Sequence, residues 1–346
     1  MSKADYFWKK KQLVSYVLSV YVFWAHCSSF YNYPDLPLGI SLVRHFFTAG
    51  FNSAAVPLFM IISGAVFFRD FSMKNYLPKL RRRLLTLLAP YLSWNILNML
   101  FEMLATRFLS QYFIGRQPFV WSLKNILLGI FHYRYNDPFW FIFALMAFTL
   151  AAPLIDLLLK NKWTGAAGIL ILVYVKRFGI GLPQPLFFNG TCLLFYLTGC
   201  WIGRYAFDLF STRRSRRGAL LCLLGAVPLL TYEFWSTWVI HDLPTVAYHL
   251  ETCGIGLFVW GAFDLLPEDL TLPKFTEGSF WVYALHVNAG AVFAKLLYLA
   301  LPKGSIWSIP NFALTTLLTL TCIEILRRLT GKYLPPVYRI LSGSRG

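Results

Sequence analysis

Charged residues are scarce in this sequence. They make up 14% of its 346 residues, against about 25% in an average soluble domain. Hydrophobic residues make up 57% of the chain, and they occur in runs of about 20 residues, the length of a helix that crosses a bilayer. This composition excludes an ordinary soluble domain and predicts one all-α, polytopic membrane domain that covers residues 1–346.

Clusters of cysteine and the common nucleotide and metal motifs are also absent. The six cysteines are isolated, without a CxxC pair or neighbouring histidines, so the sequence indicates neither a disulfide framework nor a zinc site. It contains no Walker loop, no GxGxxG at a strand–helix turn, no GxSxG and no HExxH. We therefore expect no bound metal and no permanently bound cofactor.

Acidic residues are few: 15 Asp and Glu face 32 Lys and Arg, which gives a net charge of +17. In a soluble protein this surplus would suggest a polyanionic partner. Here most of the Lys and Arg fall in alternate segments between the hydrophobic runs, as the positive-inside rule requires. We therefore expect a multi-pass protein of the cytoplasmic membrane with both termini cytoplasmic, and no nucleic-acid partner. The ten predicted spans are residues 13–31, 54–68, 84–104, 138–158, 164–175, 187–207, 219–239, 246–263, 279–301 and 308–326.

An ionisable residue lies inside the first hydrophobic run. At about 100° per residue, Gln12, Ser15, Ser19, His26 and Ser29 fall near one face of a helix. A polar face on a membrane helix has to meet protein or water, and an ionisable residue on it is a functional hypothesis by default. His26 is therefore a candidate general base. The alternative is a structural histidine that hydrogen-bonds to a neighbouring helix.

A basic run follows the second span. It contains Lys79, Arg81, Arg82 and Arg83 and leads to Pro90-Tyr91. Arginine forks match phosphate oxygens, so the run is a candidate clamp for the phosphates of a cytosolic donor. Such clusters also orient helices and bind anionic lipid, and both readings remain open at this point.

Two further patterns lie within spans. In the second span, Pro57 precedes the pair Ser63-Gly64, in which the glycine permits close helix packing. In the ninth span, His286 is followed by Asn288. Each pattern has a structural reading beside the functional one. Between spans, the sequence predicts an interfacial helix over 121–131 and a short helix around Arg44 and His45.

Taken in order, these features resemble the acyltransferase 3 family of integral membrane acyltransferases. The resemblance extends over nearly the whole chain. Its matching motifs are His26, PLFMIISG (57–64), KLRRR (79–83) leading to Pro90-Tyr91, FWF (139–141), LTGCWIGR (197–204) and YALH (283–286). The departure is in the first span, where Gln12 and Ser15 occupy positions at which family members often carry an Asp and an Arg.

The resemblance implies about ten helices and a transfer of an acyl group, usually acetyl. The donor would be acyl-CoA as a co-substrate, and the acceptor a hydroxyl of a carbohydrate, such as a cell-surface polysaccharide or its precursor. By matching position, His26 would be catalytic. The donor phosphates would bind Lys79, Arg81, Arg82 and Arg83. We expect the oxyanion or the acceptor to contact Ser63, Tyr91, Trp140 or His286.

A transporter or flippase for a lipid-linked or small polar substrate is the alternative from another class. It would use His26 and the acidic residues within spans as a proton relay, and it would be built from repeated halves. The sequence contains no internal repeat. A catalytically silent protein on the same scaffold is the third reading, and the first-span departure keeps it open. The sequence does not specify the acceptor, the acyl group or the oligomeric state.

Overall fold

The computed structural model describes residues 3–108, 119–177, 190–235, 245–267 and 269–343. Across these residues the chain is helical and contains no strand, which confirms the all-α prediction. The helices are α1 (Lys3–His26), α2 (Leu38–His45), α3 (Ala55–Phe68), α4 (Tyr76–Phe108), α5 (Leu123–Phe131), α6 (Trp140–Leu150), α7 (Ala152–Leu158), α8 (Lys162–Arg177), α9 (Gly190–Tyr205), α10 (Phe207–Ser211), α11 (Arg216–Trp235), α12 (Thr245–Ala262), α13 (Ser279–Ala300), α14 (Ser308–Tyr333) and α15 (Pro335–Ser342).

Four helical segments of the described residues are long and apolar enough to cross a membrane: Asp5–Asn32, Met73–Phe108, Lys274–Ala300 and Ser305–Tyr333. A fifth span is possible if α6 and α7 act as one, although they are bent by 62°. Pro153 lies in the first turn of α7, where it cannot continue the hydrogen bonding of α6. The membrane character of the chain is supported, whereas ten spans and cytoplasmic termini stay predictions.

The predicted short elements between spans are present. The helix around Arg44 and His45 is α2, and the helix expected over 121–131 is α5, which begins after an N-cap at Ser122. Between α2 and α3 the backbone is irregular, with π-helical and 3-10 turns over 46–54. Pro57 is the third residue of α3, where a backbone N–H has no helical partner in any case. It therefore does not break this helix, and packing is the simpler reading of the motif.

Helices α3 and α9 pack at backbone distance through small residues. A Cβ atom added to Gly64 would lie 2.8 Å from the backbone nitrogen of Cys200, and one added to Gly199 would lie 2.8 Å from the Cα atom of Ile61. One turn further along α9, Gly203 meets the backbone of α3 in the same way. Glycines four residues apart are a common solution for close helix pairs in membranes. The two helices form the centre of the bundle.

A buried carboxylate holds the first turns of α1. The Asp264 side chain is fully buried and accepts hydrogen bonds at 2.5 Å from both the Tyr6 hydroxyl and the Lys10 ammonium. The backbone N–H of Arg214 donates to its other oxygen at 3.2 Å. The Lys10 ammonium also lies 4.5 Å from the centre of the Trp260 ring. This cluster joins α1 to α12 and to the residues that precede α11.

The packing of α3 on α9 predicts that Gly199→Ala destabilises the protein, because the added methyl group would overlap the α3 backbone. Overpacking of this kind costs about 1–3 kcal/mol, and a lower temperature of unfolding of the detergent-purified protein would show it. Gly39→Ala in α2 is the matched control, since a Cβ atom there meets nothing within 4 Å. Equal unfolding temperatures for the two variants would contradict the close contact.

Candidate active site

Two cavities lie along the same helices of the bundle. The inner cavity, of about 370 Å³, includes Lys11 and Arg83 in its lining. The outer cavity, of about 270 Å³, includes His26 and Arg134. We name them by the side on which the positive-inside rule places the basic 69–83 segment. Each cavity is large enough for several water molecules or for part of a substrate.

Three helices, α1, α4 and α13, line both cavities, whereas α6 lines the inner cavity and the turn that precedes it lines the outer one. The inner cavity is lined by Gln12, Ser15 and Ser19 of α1, Arg83 and Leu87 of α4, Phe141, Ile142 and Leu145 of α6, and Ser279, Phe280 and Tyr283 of α13. The outer cavity is lined by His26 of α1, by Asn98 and Glu102 of α4, by Ala284, Val287 and Asn288 of α13, and by the turn from Arg134 to Pro138. The two cavities are therefore arranged along the axis of the bundle.

The predicted polar face of α1 is turned toward these cavities. Gln12, Ser15 and Ser19 line the inner one, and the Gln12 amide donates to the Thr276 hydroxyl at 2.7 Å. Val22, which interrupts the polar face, is buried between the levels of the two cavities. The requirement that polar groups on a membrane helix face protein or water is met.

His26 is the last residue of α1, and its side chain is exposed within the outer cavity. Its Nδ1 atom lies 2.8 Å from the carbonyl oxygen of Val22. A carbonyl oxygen only accepts hydrogen bonds, so this contact assigns the proton of the neutral ring to Nδ1. The Nε2 atom then carries a lone pair, which is the form that a general base requires.

A second imidazole lies behind the first. His286 is 1% exposed, and its ring centre is 5.2 Å from that of His26 in an edge-to-face arrangement. Its Nδ1 atom donates to the Tyr283 carbonyl oxygen at 2.8 Å. Its Nε2 atom is buried and makes no hydrogen bond within the described part of the chain. Both rings are therefore held in the same tautomer by the carbonyl oxygens of their own helices.

Of the four residues predicted to bind the donor, the structure brings one to the inner cavity. Arg83 lines it, and its buried Nε atom has no hydrogen-bond partner among the described residues. Arg81 and Arg82 are exposed and do not line it. Lys79 instead donates to the Phe67 carbonyl oxygen at 3.1 Å. The basic side chain on α1 that joins Arg83 at this cavity is Lys11.

Of the four residues predicted to contact the oxyanion or the acceptor, two lie at the inner cavity or beside His26 and two do not. Ser63 lines the inner cavity, and His286 contacts His26. Tyr91 is buried and donates to the Phe131 carbonyl oxygen at 3.0 Å. Trp140 packs its ring edge against Phe141. Neither Tyr91 nor Trp140 lines either of the two cavities.

The outer cavity contains two amides that sequence reasoning did not select, Asn98 and Asn136. The Asn288 amide donates to the Asn98 side-chain oxygen, and Asn136 lines the same space. Polar amides within hydrophobic spans are rare enough to have served as a signal. Of the acidic residues within the predicted spans, Glu102 lines this cavity, whereas Asp156 and Glu324 form ion pairs with arginines. The side chain of Glu233 lies outside the described residues.

A strained turn places Arg134 at the outer cavity. Tyr133 has φ of 47°, a left-handed conformation that residues with a side chain rarely adopt. The backbone N–H of Asn136 donates to the Tyr133 carbonyl oxygen at 2.8 Å and closes the turn. Burial, with a smaller contribution from Asp137, raises the pKa of the Tyr133 hydroxyl. Arg116, in the outer loop that precedes this turn and through which we expect an acceptor to approach, lies outside the described residues.

The described part of the chain is thus a helical bundle with membrane-spanning character, in which Arg83 lines the inner cavity and His26 the outer one. The family model Acyl_transf_3, described as an acyltransferase domain, matches residues 16–328. The chain therefore belongs to the acyltransferase 3 family, which confirms the resemblance and supports membrane acyltransferase activity. No curated protein and no solved structure matches the chain.

Proposed function

We propose that the protein transfers an acyl group, in the simplest case acetyl, from a cytosolic acyl-CoA to a hydroxyl of a carbohydrate acceptor at the outer side of the membrane. The observation that carries the proposal is the order of the two cavities, with Arg83 on the inner one and the His26 imidazole on the outer one. The acceptor class is the one that the family resemblance implies.

The donor would bind from the inner side. Arg83 and Lys11 would hold its phosphates, because a guanidinium and an ammonium at a partly buried site form strong charge-assisted hydrogen bonds. From Lys11 to His26 is about 22 Å along α1 at 1.5 Å per residue, a distance comparable with an extended pantetheine arm. The thioester would thus reach the level of the histidines while the nucleotide stays at the inner rim.

The acceptor would bind in the outer cavity. Carboxamides offer both donors and acceptors to sugar hydroxyls, and Asn98, Asn136 and Asn288 supply them there. The Nε2 atom of His26 would take the proton of the attacking hydroxyl. The new C–O bond forms as the C–S bond breaks, and the proton on His26 passes to the leaving thiolate to give free coenzyme A.

If His26 is the base, the substitution His26→Asn lowers the rate of acetyl transfer from labelled acetyl-CoA to cell-surface glycans by about 10²–10⁴-fold. Asparagine keeps an amide donor for the Val22 carbonyl oxygen, but it has no basic nitrogen. The rate is measured with purified protein in nanodiscs, and His45→Asn at the end of α2, which lines neither of the two cavities, is the matched control. If His26→Asn transfers label at the parent rate, His26 is not the base. Uptake of glycan into liposomes without transfer would favour the transporter.

The position of the arginines predicts that Arg83→Gln weakens acetyl-CoA binding about ten- to a hundredfold, the equivalent of one charge-assisted hydrogen bond. Arg82→Gln is the matched control, because its side chain is exposed and does not line the inner cavity. We expect its dissociation constant to stay within about twofold of the parent value. Calorimetric titration of both variants distinguishes them, and equal losses would contradict a specific role for Arg83.

A further inference from the structure

The inner and outer cavities share no lining residue, and on α13 their linings are adjacent in sequence. On α13, Tyr283 lines the inner cavity and the next residue, Ala284, lines the outer one. Pro138, which lies just before α6, lines the outer cavity, and Phe141 of α6 lines the inner one. Consecutive Cα atoms are about 3.8 Å apart, so on α13 the lining changes from one cavity to the other within one residue.

The Tyr283 side chain extends across this level. Its hydroxyl donates a hydrogen bond to the Pro138 carbonyl oxygen. Its ring stacks on Phe139 with centres 5.4 Å apart and planes inclined by 14°, and it meets the Phe141 ring at 6.1 Å. The side chain therefore joins α13 to the start of α6 and occupies the space between the two cavities.

The hydrogen bond that orients His286 does not involve the Tyr283 side chain. The Nδ1 atom of His286 donates to the backbone carbonyl oxygen of Tyr283 at 2.8 Å, and the centres of the two rings lie 6.2 Å apart. The side chain itself is fixed by one hydrogen bond and by ring contacts. A donor arm that passes this level has to displace the Tyr283 ring, and the single hydrogen bond that it breaks contributes little net free energy.

We propose that Tyr283 closes the passage between the two cavities and thereby limits the acyl groups that reach His26 to short ones. The inference that Tyr283 separates the two cavities rests only on their lining residues and on the contacts of the Tyr283 side chain. Its effect on the acyl group rests on the proposed function, because only then does a thioester arm pass this level. The hydroxyl-to-Pro138 hydrogen bond keeps the ring in place when no donor is bound, and the space left by a displaced ring sets the room for the acyl chain.

The barrier is tested without any substrate. A thiol is introduced into the inner cavity by Ser15→Cys and treated with a membrane-impermeant, cationic thiol reagent in vesicles of either orientation. We expect labelling from the inner side only. Tyr283→Ala should raise the rate of labelling from the outer side at least tenfold and leave the rate from the inner side unchanged. Tyr283→Phe, which keeps the ring without the hydrogen bond, should give an intermediate rate.

The controls separate the barrier from general damage. The protein without Ser15→Cys gives the background from the native cysteines. Tyr76→Ala is the matched variant, because the Tyr76 hydroxyl also donates to a backbone carbonyl oxygen, that of Leu150, at 3.0 Å, and it lies away from both cavities. If outer-side labelling with Tyr283→Ala stays at the Tyr76→Ala level while inner-side labelling persists, Tyr283 is not the barrier.

The second measurement concerns the acyl group. The ratio of octanoyl to acetyl transfer from the corresponding coenzyme A esters should rise at least tenfold with Tyr283→Ala and stay unchanged with Tyr76→Ala. If Tyr283→Ala raises labelling from the outer side but leaves this ratio unchanged, Tyr283 does not select the acyl group, although it still separates the two cavities. If the parent protein uses neither donor, the proposed function fails, while the labelling result still decides whether Tyr283 is the barrier.

Discussion

The polar face of α1 sets the arrangement of the bundle, because it cannot be turned toward lipid at acceptable cost. Its first turns are fixed by the ion pair of Lys10 with the buried Asp264. With that end held, Gln12, Ser15 and Ser19 face α13 and the inner cavity, and His26 reaches the outer one. The other lining helices then supply the opposite sides of the same two spaces. A single rotation of α1 would remove both the polar lining and the base.

Much of this arrangement could be predicted from sequence, since it follows from periodicity and burial. The polar face of α1 follows from residue spacing, and the helical class follows from composition. Close packing at Gly64 follows from its place beside Ser63 in an apolar run, and the structure gives it the backbone of α9 as partner. These features depend on the local chain or on one general rule of membrane packing, which is why a single sequence carries them.

Contacts between distant segments could not be predicted. The run Arg81–Arg83 reads as one charge cluster, yet at about 100° per residue on α4 its members point in different directions. Only Arg83 turns inward, while the other two are exposed. Likewise Asp264 reads as part of an acidic loop, and its burial beside Lys10 joins residues 254 positions apart. The direction of a long side chain and its partner are set by tertiary packing, which no local pattern encodes.

The place of His26 at the end of α1 has a chemical consequence. The Nδ1–H of His26 donates to the Val22 carbonyl oxygen, which leaves Nε2 as the unprotonated nitrogen of a ring that is exposed in the outer cavity. His286 is held in the interior of α13 and is almost fully buried, so a substrate hydroxyl does not reach its ring in this arrangement. The two imidazoles have the same tautomer but different surroundings, and this difference favours His26 as the residue that takes the proton.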